Sequence, residues 1–158
     1  MKHHFRAPWD FELLITTVIV MAILIVGLYF THDGVLAPII IAATIISCAA
    51  LGVYGYNIGS KELVILRLGW SKKITFMEIV NVEFKPYAMI GSLRTFGIGG
   101  LFGYVGNFKN GILGSYSAYA TNQKSTVLIE TKNQKFIVTP DDPIEFTQSL
   151  KQAMESAA

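Results

Sequence analysis

Two apolar runs open the chain, residues 13–30 and 35–56. Neither contains an Asp, Glu, Lys or Arg, and only Thr31-His32-Asp33-Gly34 separates them. At about 1.5 Å per helical residue, roughly 20 such residues cross a hydrocarbon layer of about 30 Å. A transmembrane helical hairpin, with spans at about 11–30 and 35–56, is therefore the first expectation. A cleaved signal sequence is the rival. Its apolar stretch runs to roughly 7–15 residues and ends in a small-x-small site. Here the first run is longer and ends in the bulky, polar Tyr29-Phe30-Thr31-His32-Asp33, so an uncleaved span is expected.

The bases set the orientation. Lys2 and Arg6 precede the first run, Lys61, Arg67, Lys72 and Lys73 follow the second, and the linking turn has none. Positive charge stays on the cytoplasmic side, so both ends are expected there with the His32-Asp33-Gly34 turn outside. Trp9, Tyr29, Phe30, Tyr54 and Tyr56 fall where an interfacial aromatic belt would lie. With 158 residues and 1–56 in the hairpin, residues 57–158 suffice for one domain. That part holds 11 Lys/Arg against 8 Asp/Glu, too slight a surplus for a nucleic-acid partner but compatible with an anionic leaflet. Cys48 is the one cysteine, which excludes an intramolecular disulfide and a cysteine-based metal cluster.

After Tyr56 the pattern changes to short segments broken by turn residues. A brief strand ends near Ile58, Gly59-Ser60-Lys61 turns the chain, and 62–68 continues as a strand. Residues 73–75 form another. Val80, Val82 and Phe84 alternate with Asn81, Glu83 and Lys85, as a half-buried strand requires. Residues 115–120, 126–130 and 135–139 complete about seven strands. A helix then begins with Asp142 as N-cap, Pro143 at the first helical position and Glu145 at the third. Phe146, Leu150, Ala153 and Met154 make its apolar stripe. The fold class expected is α+β: the hairpin, then a seven-stranded barrel or sandwich capped by the C-terminal helix.

The stretch from Arg94-Thr95-Phe96-Gly97-Ile98-Gly99-Gly100-Leu101-Phe102-Gly103 to Tyr119-Ala120-Thr121-Asn122 resembles a segment of bacterial pleckstrin-homology-like membrane proteins. The ending Ile137-Val138-Thr139-Pro140-Asp141-Asp142-Pro143-Ile144-Glu145-Phe146 is similar to the same family. The resemblance implies a PH-like fold at the bacterial inner membrane and brings no catalytic residues. Eukaryotic relatives of the fold often bind inositol lipid headgroups through bases near the first hairpin. The corresponding bases here are Lys61, Arg67, Lys72 and Lys73, whose spacing does not form a dense cluster; bases wetting the inner leaflet explain them more simply.

Residues 86–114 form a glycine-rich insertion with no clear strand, long for a compact domain. It lacks both the βαβ context of a dinucleotide fingerprint and the Gly-Lys-Ser/Thr of a P-loop. Phe96, Ile98, Leu101, Phe102, Tyr104 and Phe108 are expected to dock on the bilayer interface, a second copy or a partner; the alternative is that the insertion folds back over a sheet face. All three histidines precede residue 33, and Asp141-Asp142 is explained by capping. No enzymatic activity, cofactor or metal is expected. The functional expectation is a membrane-tethered binding or scaffolding module that self-associates or recruits a membrane-protein partner. The alternatives are a lipid-headgroup or small-ligand sensor, or an accessory subunit of a transporter or membrane enzyme.

Overall fold

The computed structural model describes residues 3–30 and 34–157; Lys2 and the Thr31-His32-Asp33 part of the turn lie outside them. The chain begins with a short strand, β1 (His4–Arg6), followed by α1 (Phe11–Phe30) and α2 (Leu36–Leu51). Then come β2 (Val53–Ile58), β3 (Glu62–Arg67), β4 (Ser71–Thr75), a single 3-10 turn (Phe76–Glu78) and β5 (Ile79–Phe84). The rest is β6 (Leu93–Gly99), β7 (Tyr104–Asn110), β8 (Gly114–Ala120), β9 (Val127–Thr131), β10 (Lys135–Val138) and α3 (Pro143–Ala157).

The strands form two sheets, β1-β2-β3-β4 and β5-β9-β10-β8-β7-β6; the sheets are stacked and do not close into the barrel considered above. All neighbours are antiparallel except β8 and β10. Phe5, Tyr56, Leu63, Ile65 and Ile74 of the first sheet meet Val82, Val127, Ile129, Phe136 and Val138 of the second. Phe146 and Leu150 of α3 complete that core, and the Phe146 ring meets Phe5 and Tyr56 edge-on at 5.1 and 5.9 Å. Asp142 caps α3 as expected, its Oδ1 accepting the Glu145 N–H at 2.8 Å.

The six-stranded sheet buries its other face too. Tyr104, Phe108, Tyr116, Ala118, Leu128 and Ile137 alternate with the residues of the first core and pack beneath Ala88, Met89 and Leu13. Period-two alternation sends successive side chains to opposite faces, so strands apolar at both parities need two covers. Part of the second cover is the 86–92 segment. It is held by Ala88 N–H to Thr126 Oγ1 at 3.1 Å, Asn110 Nδ2 to the Ala88 carbonyl at 2.9 Å and Tyr116 Oη to Ser92 Oγ at 2.6 Å.

Four expectations change. The glycine-rich insertion is no strandless loop: after the cover it becomes the β6–β7 hairpin, and β1, β6 and β7 raise the strand number to ten among the described residues. Gly97 and Gly106 face each other across that hairpin with φ of 106° and 134°. A Cβ on either would lie 2.2 Å from a carbonyl oxygen of the opposite strand, so only glycine fits. The second apolar run splits: α2 ends at Leu51 and Val53-Tyr54-Gly55-Tyr56 becomes strand. The reason is long-range, because β1 pairs there, His4 with Asn57, Phe5 with Tyr56 and Arg6 with Gly55. Tyr56 is thus a core residue, not part of an aromatic belt. Finally, a bulge between Ile79 and Asn81 turns Ile79 inward and leaves Val80 exposed.

Of the described helices, α1 alone is long and apolar enough to cross a membrane. The 16 residues of α2 span about 24 Å. Only Leu13 and Thr17 of α1, and no residue of α2, are buried.

Candidate functional site at the base of the helices

Both apolar helices leave the sandwich at one place, because β1 runs into α1 and α2 runs into β2 next to it. Asp10 organises that point. It is buried, its Oδ1 accepts the Leu13 N–H at 2.7 Å as an N-cap, and its Oδ2 accepts the Gln123 N–H at 3.1 Å. Its own N–H donates to the Thr121 carbonyl at 3.1 Å. Thr121 continues inward: its Oγ1 donates to the Pro8 carbonyl at 2.8 Å and its N–H to Thr139 Oγ1 at 2.9 Å. The Thr139 N–H reaches Tyr56 Oη at 3.0 Å, and Tyr56 donates to the Tyr119 carbonyl at 2.7 Å. Complete burial pushes the Tyr56 hydroxyl up to about 12, against the partial relief of its hydrogen bonds from Thr139. A chain of satisfied buried polar groups thus links the cap of α1 to the middle of the core, where each unpaired member would be costly.

The turn between β6 and β7 grips the first turns of α1 from outside. Thr17 Oγ1 donates to the Gly100 carbonyl and accepts the Phe102 N–H, both at 3.3 Å. A Cβ on Gly100, whose φ is 105°, would press to 3.1 Å from the Thr16 methyl. Phe102 sits at φ 58°, a conformation uncommon for a bulky residue, with its ring edge-on to Trp9 at 6.0 Å. The Phe102 carbonyl also lies close against Gly52, where α2 ends.

The β3–β4 tip shares this end of the sandwich, since Arg67 pairs with Val53, two residues past the end of α2. The Arg67 guanidinium lies between the Trp70 and Tyr119 rings, 5.3 and 5.2 Å from their centroids, and Lys72 Nζ lies 6.0 Å from the Phe136 ring. Burial lowers the Arg67 pKa, and its Nε has no hydrogen-bond partner among the described residues. Beside the base of α1, Met89, Ser92, Arg94, Tyr104, Phe108 and Gln123 line an open groove of about 330 Å³. Burial also raises the Tyr104 hydroxyl, with the charges of Asp10 and Glu12 adding to it. Among the described residues, no group of three or more His, Cys, Asp or Glu side chains could hold a metal.

One family model, that of the bacterial PH domain, matches residues 54–154, more than half of the chain. The chain belongs to the bacterial PH domain family. No curated protein and no solved structure matches it. The matched region begins inside β2 and ends inside α3, so β1 and both apolar helices stand outside the family unit.

The PH domain distributes the sequence-derived residues unevenly. Of the six aromatic and aliphatic positions, Tyr104 and Phe108 are turned into the second core and present no docking surface. Ile98 packs at the edge of the first core, and Leu101 and Phe102 are half-buried in the turn against α1. Phe96, on the open edge strand β6, is 76% exposed. The four bases do not converge. Lys61 and Arg67 stand at opposite ends of β3, roughly 20 Å apart at strand rise. Lys73 points to the outer face, paired with Glu62 at 2.7 Å, while Arg67 and Lys72 turn toward the space between the sheets. Asp10, Thr17, Thr121 and Thr139 were not singled out by sequence. An Asp directly before an apolar helical run is a legible N-cap signal; the threonines carry none.

Proposed function

We propose that the chain is a membrane-tethered, non-enzymatic PH-like binding module, held by α1 and α2 and facing the cytoplasm of a bacterium. The observation that carries this reading is the pairing of β1 with β2 across the helical excursion. Phe5 of β1 is fully buried in the PH core. A leader cleaved after α1 would take that core residue with it, so the reading favours a retained helix. Side chains around α1 beyond its base, among them Ile19, Ile23 and Val26, are more than half exposed, which suits lipid and not water. The return of α2 to the sheet that β1 left also fits two spans with both ends on one side.

The experiment combines carbonate extraction with cysteine labelling in a Cys48→Ser background. The chain should stay in the membrane fraction. A Gly34→Cys variant should react with an impermeant maleimide in intact cells, and a Lys109→Cys variant only after permeabilisation. Extraction by carbonate, or labelling at residue 109 from outside, would refute the reading.

The recruiting surface in this reading is β6. It is the free edge of the larger sheet and carries exposed Leu93 and Phe96. An unpaired edge is a template for another strand, and tethering to a surface raises the effective concentration of a second copy. Self-association should appear as a detergent-solubilised particle larger than one chain that Phe96→Lys reduces to one. A wild-type particle of one chain with nothing co-purifying would rule out the edge as an assembly surface.

A further inference from the structure

We propose that the β3–β4 tip, residues 68–70, is a third membrane contact, embedding Leu68 and Trp70 in the anionic headgroup layer of the bilayer that holds α1 and α2. The proposal rests on the tethered reading above and adds a contact which that reading does not require.

Three observations point to it. The first is position. Arg67 pairs with Val53, so the tip projects past the point where α2 joins β2, toward the helices and away from the Gly59–Lys61 end of the same sheet. The second is chemistry. The tip offers Leu68 and Trp70, 57% and 50% exposed, on a tight turn at Gly69 whose φ is 90°. Trp9 and Tyr54, also exposed, stand beside the two helix bases. Tryptophan favours a boundary where one part of the ring is in an apolar layer and the indole N–H is wet. The Trp70 ring is also held from behind by the Arg67 guanidinium, so ordering it at a surface costs little further freedom.

Charge is the third. No carboxylate occurs between Glu62 and Glu78, and Glu62 is engaged by Lys73. Arg67 and Lys72, though turned partly inward, stay half-exposed and form no ion pair among the described residues, so they lend the tip positive charge, which suits an anionic leaflet. A protein partner at the tip would need a groove for one indole and a set of acids. A phospholipid surface already lies at that end once α1 and α2 are inserted.

Trp9 and Trp70 are the two tryptophans of the chain, which allows a direct test. The full-length protein is reconstituted into vesicles of phosphatidylethanolamine and phosphatidylglycerol, as a Trp9→Phe variant, where Trp70 alone emits, and as a Trp70→Phe variant, where Trp9 alone emits. Lipids brominated near the headgroup should quench Trp70 severalfold more than lipids brominated near the chain ends. The quenching should weaken when phosphatidylglycerol is omitted or Lys72→Gln is introduced. Quenching of Trp9 without quenching of Trp70 would overturn the tip contact and leave the tether standing. Quenching of neither would overturn both. A polarity-sensitive fluorophore on Leu68→Cys in a Cys48→Ser background, with both tryptophans intact, repeats the test without altering the Trp9 contact; a water-like emission in vesicles would overturn the proposal.

Discussion

α1 and α3 are anchored on the same sandwich by opposite means. α3 is amphipathic: Phe146 and Leu150 are fully buried, while Lys151, Gln152 and Glu155 face outward. Its polar side is made for water, and apolar burial holds it. α1 is apolar on every face beyond its first two turns, and its attachment is mostly polar: the Asp10 cap, the Thr17 bonds to the β6–β7 turn, and the Thr121–Thr139–Tyr56 chain behind them. A helix that was meant to cover the sandwich would turn an apolar stripe inward, as α3 does. α1 instead spends its apolar surface beyond the domain, and its base is fixed by directional bonds that set an angle of departure.

Substitutions can break that contrast, the largest first. Phe146→Ala should cost about 3–5 kcal/mol of domain stability, through lost burial and the cavity left under Phe5 and Tyr56. Urea unfolding of the detergent-solubilised chain, followed by tryptophan fluorescence, measures it. Ile23→Arg at mid-α1 should leave that unfolding curve in place but oppose membrane insertion by about 2.5–3.5 kcal/mol, seen as loss from the membrane fraction. Equal effects of the two changes on urea stability would erase the distinction between the helices.

Tyr56 sharpens the contrast through pH. Its hydroxyl titrates at about 12 in the folded chain and near 10 when unfolded. Above pH 10 the unfolded state alone loses the proton, so stability is level below pH 10 and falls by on the order of 2–3 kcal/mol as pH rises toward 12. Tyr56→Phe should remove that part of the alkaline limb and leave the part due to buried Tyr104 and Tyr116. Asp10→Ala, which removes the cap and the partner of the Gln123 N–H, should cost about 1–2 kcal/mol and loosen α1 from the domain. Lys73→Ala, breaking an exposed pair with Glu62, should change stability by less than about 0.5 kcal/mol.

Much of the fold was legible because it is encoded locally. The Asp142-Pro143 start of α3, the turn at Gly59-Ser60-Lys61 and strands β8–β10 each follow from a few neighbouring residues. What was not legible depends on distant pairing. Val53–Tyr56 is as apolar as the helix before it, and pairing with β3 on one side and with β1, about 50 residues earlier, on the other makes it a strand. Phe96 and Phe108 look alike in the glycine-rich stretch, yet the bulge between Arg94 and Phe96 and the 86–92 cover leave one exposed and bury the other. At the site, Arg67 and Lys72 were legible as bases, but their inward turn onto Tyr119 and Phe136 requires the second sheet. The Asp10 cap was available in the sequence. The grip of Gly100 and Phe102 on Thr17 spans more than 80 residues and has no local signature.

The most direct test of the tether is the solvent around α1. A spin label on Ile19→Cys, in a Cys48→Ser chain reconstituted into lipid vesicles, should collide readily with dissolved oxygen and rarely with a water-soluble nickel chelate. A label on Lys109→Cys should do the reverse. Nickel access at residue 19 equal to that at residue 109 would place α1 in water and contradict the account.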